Sequence, residues 1–332
     1  MESFEGKTIL VTGATGLIGS NLVDRIMTMK PAKLIVTGRN EKKLVSTFTD
    51  YVDKEKFVIL QHDAAKPIPS GVQGVDYIFH AAGPMEREIV MNRPVDVILP
   101  NNLGTINMME FLRNQEVLTG KRGRIVVFSS VTVYNNPGVD NYDALESETT
   151  HAISLDASTA CYAESKRMSE VIARSYAKQY GIDAVIARFS TVYGPTRNIP
   201  DTAFYEFIRK SIDGEDITVN SSETPRRDNI YVDDAIDGLL CIALSGKTGE
   251  AYNVSSGGEL DNYAAVDEIA KIAARVAGKG SKVIYKSEGI PKKGGMTLNN
   301  RKLKLLGWNL HYCLESGISE TIVRIENIRK NE

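Results

Sequence analysis

A tyrosine and a lysine four residues apart form the most chemically suggestive pair in this 332-residue chain. Tyr162 and Lys166 lie in the segment CYAESKRMSE, and residues at this spacing share one face of an α-helix. An ammonium held beside a phenol favours the phenolate and lowers the tyrosine pKa from its usual value of about 10. The pair therefore has the chemistry of an acid/base usable near neutral pH, although the same spacing also occurs on ordinary amphipathic helices with both side chains in solvent.

The first two-thirds of the chain must supply the framework for such a pair, because it alternates short apolar runs with helical patterns. Strands too apolar to face water on either side indicate a parallel sheet covered by helices, with ligands at the carboxyl ends of the strands. The expected strands are Thr8–Thr12, Lys33–Thr37, Phe57–His62, Tyr77–Ala81, Arg124–Ser129 and Asp183–Arg188, and the expected helices include Leu17–Met29, Thr105–Asn114 and Thr159–Tyr180.

Three glycines follow the first expected strand, in the segment ILVTGATGLIGSNL, and open the first helix. Gly13 permits a tight turn, Gly16 lets the backbone approach a pyrophosphate, and Gly19 lets the helix pack closely on the sheet. The helix N-terminus adds amide donors and partial positive charge, so the segment predicts a dinucleotide site. The alternative is a glycine-rich turn that only joins strand to helix. Further contacts to the dinucleotide are expected from Thr15, Leu17 and Ile18.

The residues after the second strand bear on the choice between NAD and NADP. An acid there would bind the ribose 2′-hydroxyl of NAD, but the segment LIVTGRNEKKL has no acid at Thr37 or Gly38 and continues with Arg39. Because a guanidinium can pair with a 2′-phosphate, the expected cofactor is NADP, with NAD as the alternative. Arg39 could also be a solvated residue in a basic turn.

Residues after the third and fourth strands complete the predicted cofactor site. Asp63, in LQHDAA, is placed to accept a hydrogen bond from the adenine amine, and Ala64 follows it. Ala81, Ala82 and Gly83, in FHAAGP, are small enough to let the backbone come close to the cofactor.

The bulk composition is that of an ordinary soluble protein. The net charge of -2 gives no basic balance for nucleic acid, and the longest apolar runs are too short to span a bilayer. The three cysteines and four histidines show no ligand spacing, so we expect neither a metal site nor a disulfide framework. The opening MESFEGKTILVTG does not resemble a signal peptide, and we expect a cytoplasmic protein.

In a series of blocks the sequence resembles the extended short-chain dehydrogenase/reductase superfamily, specifically its nucleotide-sugar epimerase/dehydratase branch. The blocks occur in family order across nearly the whole chain, which makes them specific together although each is weak alone. They are TGATGLIG at 12–19, HD at 62–63, HAAG at 80–83, NNLGT at 101–105, FSSVTVY at 128–134, YAESK at 162–166, RFSTVYGP at 188–195, RRDNIYVDDA at 226–235, YNVSSG at 252–257 and LNNRKLKLLGW at 298–308.

The resemblance and the pattern of elements agree on an α/β fold: a Rossmann-type doubly wound parallel sheet with a smaller mixed α/β C-terminal lobe. From about Gly194 the regular alternation loosens into more polar helices and short strands. We expect residues 1–193, with part of 226–255, to form the NAD(P)-binding domain. Residues 194–332 are expected to form most of the substrate-binding lobe.

The resemblance also implies roles for the tyrosine and the lysine. In this family the residue matching Tyr162 is the acid/base, and the one matching Lys166 lowers its pKa and bonds the nicotinamide ribose. Ser130, the second serine of FSSVTVY, is implied to bind the reacting sugar oxygen, with Thr132 nearby on the substrate and Asn101 on the cofactor. The chemistry is oxidation or reduction at a sugar carbon, since removal of a hydride from a C–OH carbon requires the hydroxyl proton to leave as well.

Two positions separate activities within this family. Relatives that resemble 4,6-dehydratases carry an Asp–Glu pair directly after the serine or threonine, and those that resemble UDP-glucuronate decarboxylases carry a Glu two residues after it. Here these positions are Val131 and Thr132. Neither side chain supplies an additional acid/base, which disfavours dehydration and, less firmly, decarboxylation. The segments YAESKRMSE and PVDVILPNNLGTINMMEFL nevertheless look more like the decarboxylases.

A simple redox cycle at one sugar carbon fits these residues, so we predict an NAD(P)-dependent nucleotide-sugar epimerase that acts at C4. An NADPH-dependent 4-keto-sugar reductase is an alternative, which Arg39 slightly favours. A decarboxylase-like or 4,6-dehydratase-like enzyme and a carbonyl reductase for a non-nucleotide substrate also remain open.

The substrate side departs from the family pattern at two positions. Thr191 stands in RFSTVYGP where an asparagine usually contacts the substrate near the diphosphate, and Asn299 replaces the usual aspartate of the closing segment. Lys292 and Lys293 could add positive charge at the same mouth or be solvated loop lysines.

Arg227 matches the arginine that grips the diphosphate in this family. Its bidentate geometry suits a phosphate group. The alternative is a surface ion pair with Asp228 or Asp233.

A homodimer is expected because family members commonly pair through the helix after NNLGT and the helix that carries YxxxK. Met168, Ile172 and Tyr176 recur at i, i+4 and i+8 on the second of these helices. This stripe fits either a dimer face or core packing.

Overall fold

The computed structural model describes residues 3–135, 139, 141–220, 226–287 and 295–331. Lys292 and Lys293 lie outside these residues. Among the helices of the described segments, none is long and apolar enough to cross a membrane.

The strands of the described residues are short and are numbered in chain order. They are β1 Thr8–Thr12, β2 Lys33–Gly38, β3 Phe57–Gln61, β4 Tyr77–His80, β5 Arg124–Ser130, β6 Tyr142–Ala144, β7 Asp183–Phe189, β8 Thr191–Tyr193, β9 Ile217–Val219, β10 Arg227–Tyr231, β11 Ala251–Val254, β12 Tyr263–Ala264, β13 Val283–Tyr285 and β14 Met296–Leu298.

The helices alternate with the strands over most of the chain. They are α1 Leu17–Thr28, α2 Glu41–Thr47, α3 Arg87–Asn92, α4 Val95–Thr119, α5 Ala160–Tyr180, α6 Ala203–Asp213, α7 Val232–Ser245, α8 Val266–Ala277, α9 Arg301–Lys304 and α10 Leu314–Asn331, and a single 3-10 turn covers Val131–Val133.

Seven parallel strands form the main sheet, in the order β11-β7-β5-β4-β1-β2-β3. Strand order reverses beside β1, and in open sheets of this kind ligands bind in the crevice at the carboxyl ends of the strands at that point. The predicted α/β fold with a parallel sheet is confirmed. All six expected strands form, each ending within one residue of its expected position, and β11 adds a seventh strand at the edge.

The near-continuous apolar runs of the strands arise because both faces of the sheet are covered. In β1, Ile9 and Val11 pack in one cluster with Leu22 of α1, whereas Leu10 packs in another with Met108 of α4. Alternate residues of a strand point to opposite faces, so a strand buried on both sides needs apolar residues throughout.

Helix α4 is much longer than the expected Thr105–Asn114. It begins directly after Pro94, contains Pro100, and ends at Gly120, whose φ of 70° is left-handed. The internal proline argues against a helix in the residues before Thr105, because it removes a backbone hydrogen bond and its ring meets the preceding turn. Packing of α4 against α5 and the sheet overrides this local preference.

A second sheet has the order β12-β10-β14-β6, with β8 also paired to β10. Strand β6 precedes α5 in the chain, yet it pairs in parallel with β14 near the C-terminal end. Residues 142–144 therefore join a sheet built mostly from the second part of the chain. The division near Gly194 into a cofactor domain and a substrate lobe stays a prediction.

A buried ion pair attaches α5 to the main sheet. Arg188 of β7 is 2% exposed and donates from Nε and Nη2 to the Glu170 carboxylate at 2.8 and 2.6 Å. Ser129 of β5 donates to the same carboxylate at 2.6 Å. The Arg188 Nη1 donates to the Tyr134 hydroxyl at 2.8 Å, and that hydroxyl donates to Asn253 of β11 at 2.5 Å. One network thus joins α5 to three strands.

Glu170→Ala leaves the Arg188 guanidinium buried without its carboxylate. We expect the free energy of unfolding to fall by about 3–5 kcal/mol, the usual cost of breaking a buried pair on one side. Urea unfolding measures this loss. The matched control is Arg122→Ala, whose side chain is 77% exposed and pairs with Glu116 at 2.7 Å; there we expect a loss below about 1 kcal/mol. Equal losses in the two variants would contradict a stabilising role for the buried pair.

Candidate active site

Ser130, Tyr162 and Lys166 meet at the carboxyl end of β5. Ser130 is the last residue of that strand, and its hydroxyl is near enough to the Tyr162 phenol to favour the phenolate. Tyr162 lies in the first turn of α5, and Lys166 follows one turn later with its side chain buried. The Lys166 Nζ donates to the Phe128 carbonyl at 2.8 Å and stands 5.8 Å from the centre of the Tyr162 ring.

The pKa of Tyr162 is raised, whereas the sequence predicted that Lys166 would lower it. Burial raises the pKa of this phenol to about 12, and the hydrogen bond from Ser130 only partly opposes the rise. The expectation was wrong for this arrangement because the Lys166 ammonium is directed at the Phe128 carbonyl rather than at the phenol oxygen.

Burial also acts on Lys166, in the opposite direction. It lowers the pKa of the ammonium to about 8, because a charged group is costly away from water, and the Glu170 carboxylate one turn along partly restores it. At neutral pH the lysine is therefore still mostly charged, and the site contains a buried positive charge.

Gly83 and Asn101 lie in contact beside the Lys166 ammonium. A Cβ at Gly83 would collide with the Asn101 side-chain oxygen and lie 3.3 Å from the Lys166 Nζ. Asn101 donates to the Ser165 hydroxyl at 2.9 Å, while its own oxygen is buried without a hydrogen-bond partner among the described residues. Buried acceptors normally have a hydrogen-bond donor, so this oxygen fits a role in binding a polar ligand that donates to it.

The glycine turn has the geometry expected from its sequence. Gly13 has a φ of 64°, and a Cβ there would lie 2.7 Å from the Ala81 carbonyl oxygen. A Cβ at Gly19 would collide with the Gly13 carbonyl, so this glycine is needed for close packing of α1 on the turn. At Gly16 a Cβ would meet only the Gly13 oxygen, at 3.4 Å, and otherwise face open space.

The start of α1 offers donors to that open space. Gly16 is the N-cap, no side chain caps the helix, and its first turn contains no acidic residue. The first amides of a helix lack partners within it, and those of Leu17 and Ile18 lie in this turn. An open cradle in front of uncapped amides fits the pyrophosphate of a dinucleotide.

Arg39 and Asp63 lie at the ends of β2 and β3. The Arg39 side chain is exposed and pairs with no carboxylate within the described part of the chain. Asp63 is partly buried and accepts from the Ala65 amide at 3.0 Å, and the buried Ala64 carbonyl accepts from Asn107 of α4 at 3.0 Å. After β4, the Ala82 amide donates to a β1 hydroxyl at 3.1 Å, which places Ala81 and Ala82 against the glycine turn.

Thr132 lies in the 3-10 turn directly after Ser130. Its amide donates to the Ser130 hydroxyl at 3.3 Å, so the strand-end serine caps this turn. The Thr132 hydroxyl oxygen is buried and unpartnered among the described residues. No carboxylate occupies this position or that of Val131.

Arg227 is exposed at the start of β10, and the alternative of an ion pair with its neighbours does not hold. Asp228 is buried and accepts from Ser256 and from the Leu298 amide, and Asp233 pairs with Arg324 at 3.1 Å. In the residues that the structure describes, no carboxylate pairs with the Arg227 guanidinium, which leaves it available to an anion.

Thr191 and Asn299 occupy different environments. Thr191 begins β8 and lies opposite Asn229 of β10, two residues beyond Arg227, so it is on the strand next to that arginine. Asn299 is mostly buried and donates to Asp143 of β6 at 2.8 Å. Its amide thus helps to hold the second sheet together.

Sequence reasoning missed Asn198, which contacts the predicted cofactor site, and Arg197, which pairs with Asp24 of α1 and with Asp50. Asn198 donates to the carbonyl oxygen of Thr15 in the glycine turn, 183 residues away in the chain. The segment YGPTRNIPD carries only the composition of a loop, so no local signal points to these contacts.

Comparison with known proteins places this geometry in context. Residues 9–255 match the family model described as the NAD dependent epimerase/dehydratase family. The chain is 29% identical over 324 residues to UDP-glucuronic acid decarboxylase 1 of Xenopus tropicalis, an alignment that covers 95% of this chain and 71% of the relative. It is 28% identical over 314 residues to UDP-glucuronic acid decarboxylase 6 of Arabidopsis thaliana, covering 93% and 86% of the two chains.

Solved structures share the fold over the whole chain. UDP-glucose 4-epimerase of Thermotoga maritima, solved with UDP-glucose, has a TM-score of 0.78 at 22% identity, covering 98% of this chain and 99% of the other. The dTDP-glucose 4,6-dehydratase of Bacillus anthracis, solved with NAD, has a TM-score of 0.78 at 21% identity, covering 98% of both chains. At these identities the likeness concerns the fold.

Lys166→Met should change how stability depends on pH. The pKa of Lys166 is about 8 in the folded protein and 10.5 as the ordinary value, so between these pH values the unfolded chain binds more protons at this residue. The free energy of unfolding of the native protein should therefore rise relative to the variant, by up to about 3 kcal/mol between pH 8 and 10.5.

Urea unfolding of both proteins across this pH range measures the difference. The exposed Lys56→Met is the control for loss of a lysine as such. If the stability difference between the native protein and Lys166→Met stays constant with pH, the lysine is not held as a costly buried ammonium.

Proposed function

The chain belongs to the NAD-dependent epimerase/dehydratase family, and from that premise we propose that it modifies the sugar of a nucleotide sugar by transient oxidation at one carbon. The observation that carries the proposal is that Ser130 and Tyr162 meet at the carboxyl end of β5, with the buried Lys166 ammonium one helical turn beyond the tyrosine.

The residues of the site have separate tasks in this chemistry. Oxidation of a C–OH carbon breaks the O–H bond, whose electron pair forms the new carbonyl, and Tyr162 as phenolate accepts the proton. Ser130 donates a hydrogen bond to the same oxygen. A bound nicotinamide would supply the acceptor for the hydride that leaves the carbon. Because burial holds the pKa of Tyr162 at about 12, the phenolate is costly to form, and the neighbouring Ser130 hydroxyl is the group that favours it.

We infer an epimerase that acts at C4 of the sugar. Elimination of water from the keto intermediate needs a further acid/base near the serine, and the side chains at that place are Val131 and Thr132. Their lack of a carboxylate disfavours decarboxylation less firmly. A threonine hydroxyl can donate or accept a hydrogen bond but does not ionise in this range. Return of the hydride to the other face of the same carbon needs no additional group.

Two other reactions have a specific observation in their favour. Decarboxylation of a nucleotide-linked uronic acid is favoured by the likeness to the UDP-glucuronic acid decarboxylases, although Thr132 offers no carboxylate. Reduction of a 4-keto sugar by NADPH is favoured by the exposed, unpaired Arg39, since reductive reactions commonly draw on NADPH.

Arg227 is proposed to bind the diphosphate of the substrate. Its guanidinium is exposed without a carboxylate partner among the described residues, and its fork geometry matches two phosphate oxygens. On the adjacent strand, Thr191 stands where an asparagine is usual, so a hydroxyl replaces the amide. The contact to the substrate beside Arg227 would change accordingly.

A homodimer is proposed through α4 and α5. Ile98 and Leu103 of α4 and Met168 and Val171 of α5 are exposed apolar side chains. The residues of the apolar stripe on α5 lie in different environments. Ile172 packs in the core, whereas Met168 is half exposed. Light scattering at micromolar concentration tests the proposal, and a monomeric mass would refute it.

Tyr162→Phe should lower turnover by about 100-fold or more, the usual contribution of a positioned acid/base, while cofactor affinity is retained. Tyr180→Phe, at the exposed end of the same helix, is the matched control and should keep full activity. Turnover is followed by chromatography that separates epimers, coupled to mass spectrometry, with UDP-glucose, UDP-galactose, UDP-glucuronate and dTDP-glucose, and with NADPH and a nucleotide-linked 4-keto sugar. Near-native activity of Tyr162→Phe would remove the tyrosine from the mechanism.

The products of this assay distinguish the reactions. Interconversion of two sugars of equal mass supports the epimerase. Release of carbon dioxide from UDP-glucuronate supports the decarboxylase and contradicts the epimerase. Net consumption of NADPH with a 4-keto sugar supports the reductase.

Arg39→Ala should weaken NADPH binding about tenfold to 100-fold, because a charge-assisted contact to the 2′-phosphate is lost, and leave NADH binding unchanged. Titration of both dinucleotides by fluorescence measures this. The exposed Lys42→Ala, on α2, is the control for loss of a nearby positive charge. Equal effects of Arg39→Ala on NADPH and NADH would show that Arg39 does not recognise the 2′-phosphate.

A further inference from the structure

The loop after β8 lies against the two helices that border the predicted dinucleotide site. It leaves β8 at Gly194 and reaches α6 at Ala203, and we refer to residues 195–198 as the strap. Pro195 and Thr196 are buried, although the chain here is irregular and carries no strand or helix. Burial of an irregular segment indicates that its contacts with neighbouring elements hold it in place.

Asn198 connects the strap to the glycine turn and to the end of α2. Its Nδ2 donates to the Thr15 carbonyl at 3.2 Å and to the Thr47 hydroxyl at 3.0 Å. Thr15 belongs to the glycine turn before α1, and Thr47 is the last residue of α2. A single amide group therefore bridges the glycine turn and the end of α2.

Arg197 makes a second bridge with ionic contacts. Its Nε and Nη2 reach the Asp24 carboxylate of α1 at 3.4 and 3.1 Å, and its Nη1 reaches Asp50, just after α2, at 3.0 Å. The Tyr51 hydroxyl donates to the same Asp24 carboxylate at 2.9 Å. The Arg197 side chain is 31% exposed, so these pairs are partly shielded from solvent.

A third contact anchors the beginning of the strap. Asn21 of α1 donates to the Pro195 carbonyl at 2.9 Å. The strap is thus bound to α1 through Asn21 and Asp24 and to the region of α2 through Thr47 and Asp50. Parting of these two elements would break contacts at both ends.

We propose that Arg197 and Asn198 are positioning residues of the cofactor site, which hold the glycine turn and α2 at a fixed separation and so slow release of the dinucleotide. The glycine turn would contact the pyrophosphate and the segment leading into α2 carries Arg39, so on this proposal a dinucleotide leaves when the two move apart. The inference depends on the proposed function only in requiring that a dinucleotide binds.

The strap belongs to the chain segment that opens the predicted substrate lobe, and this gives it a functional consequence. An epimerase returns the hydride to the sugar from the cofactor molecule that took it. A cofactor lost between the two steps would leave a keto sugar, so slow release is a condition for this reaction. Contacts from the second part of the chain to the glycine turn supply such a restraint.

The test is the dissociation rate of bound NADH and NADPH, measured by stopped-flow fluorescence after displacement with excess oxidised dinucleotide. Asn198→Ala and Arg197→Gln should each release the reduced dinucleotide about tenfold faster than the native protein. Arg209→Gln is the matched control, since Arg209 of α6 also pairs with two carboxylates, Asp213 and Glu215, but contacts neither α1 nor α2. Its release rate should equal that of the native protein.

Salt dependence separates the ionic restraint from a general loss of structure. Added salt screens partly exposed charge pairs, so release of NADH from the native protein should accelerate with ionic strength. The acceleration should be smaller in Arg197→Gln, which lacks the pairs with Asp24 and Asp50. NADH is the probe because it has no 2′-phosphate whose own contacts would respond to salt.

Unchanged release rates in Asn198→Ala and Arg197→Gln would overturn the inference. If either variant unfolds, Asp50→Asn decides the question, because it removes one ionic contact of an exposed carboxylate; faster release supports the strap and unchanged release refutes it. A native protein that binds neither dinucleotide overturns the proposed function and this inference with it. Binding with unchanged release overturns this inference alone.

Discussion

The buried pair of Arg188 and Glu170 is the constraint on which the active site depends. A guanidinium that is 2% exposed needs its carboxylate, because an unpaired charge in this environment costs several kcal/mol. Glu170 is therefore held against β5 and β7, and with it the whole of α5. Since Lys166 and Tyr162 lie on the preceding turns of that helix, the pair also sets their distance from Ser130 at the end of β5.

The same burial disfavours the charged forms of both Tyr162 and Lys166. Exclusion of water favours hydride transfer chemistry but opposes charge, so the pKa of Tyr162 rises to about 12 while that of Lys166 falls to about 8. Glu170 moderates the second shift because its carboxylate stabilises the ammonium one turn away. The helix that carries the acid/base thus also carries the residue that keeps its lysine charged near neutral pH.

The two parts of the chain support each other at several points. Strand β6 pairs with β14, Arg25 of α1 pairs with Asp237 of α7 at 2.6 Å, and the strap joins α1 to α2. The carboxylate of Asp228 accepts hydrogen bonds from Ser256 and from the Leu298 amide, which hold the second sheet together. The cost of this connection is burial of a charged group, which raises the pKa of Asp228 to about 6. The second part of the chain is thus bonded directly to the glycine turn and to α1.

The strands, the glycine turn and the Tyr162–Lys166 pair were predictable because each depends on short-range rules: side-chain alternation, a positive φ, and the pitch of a helix. Other features follow from packing between segments distant in the chain. Helix α4 continues through Pro100 because α5 and the sheet stabilise it, and the pKa of Tyr162 rises because the fold buries the phenol, while the Lys166 ammonium donates to the Phe128 carbonyl. The free energies of burial and of long-range pairing depend on which surfaces meet, and residue spacing along the chain does not contain that information.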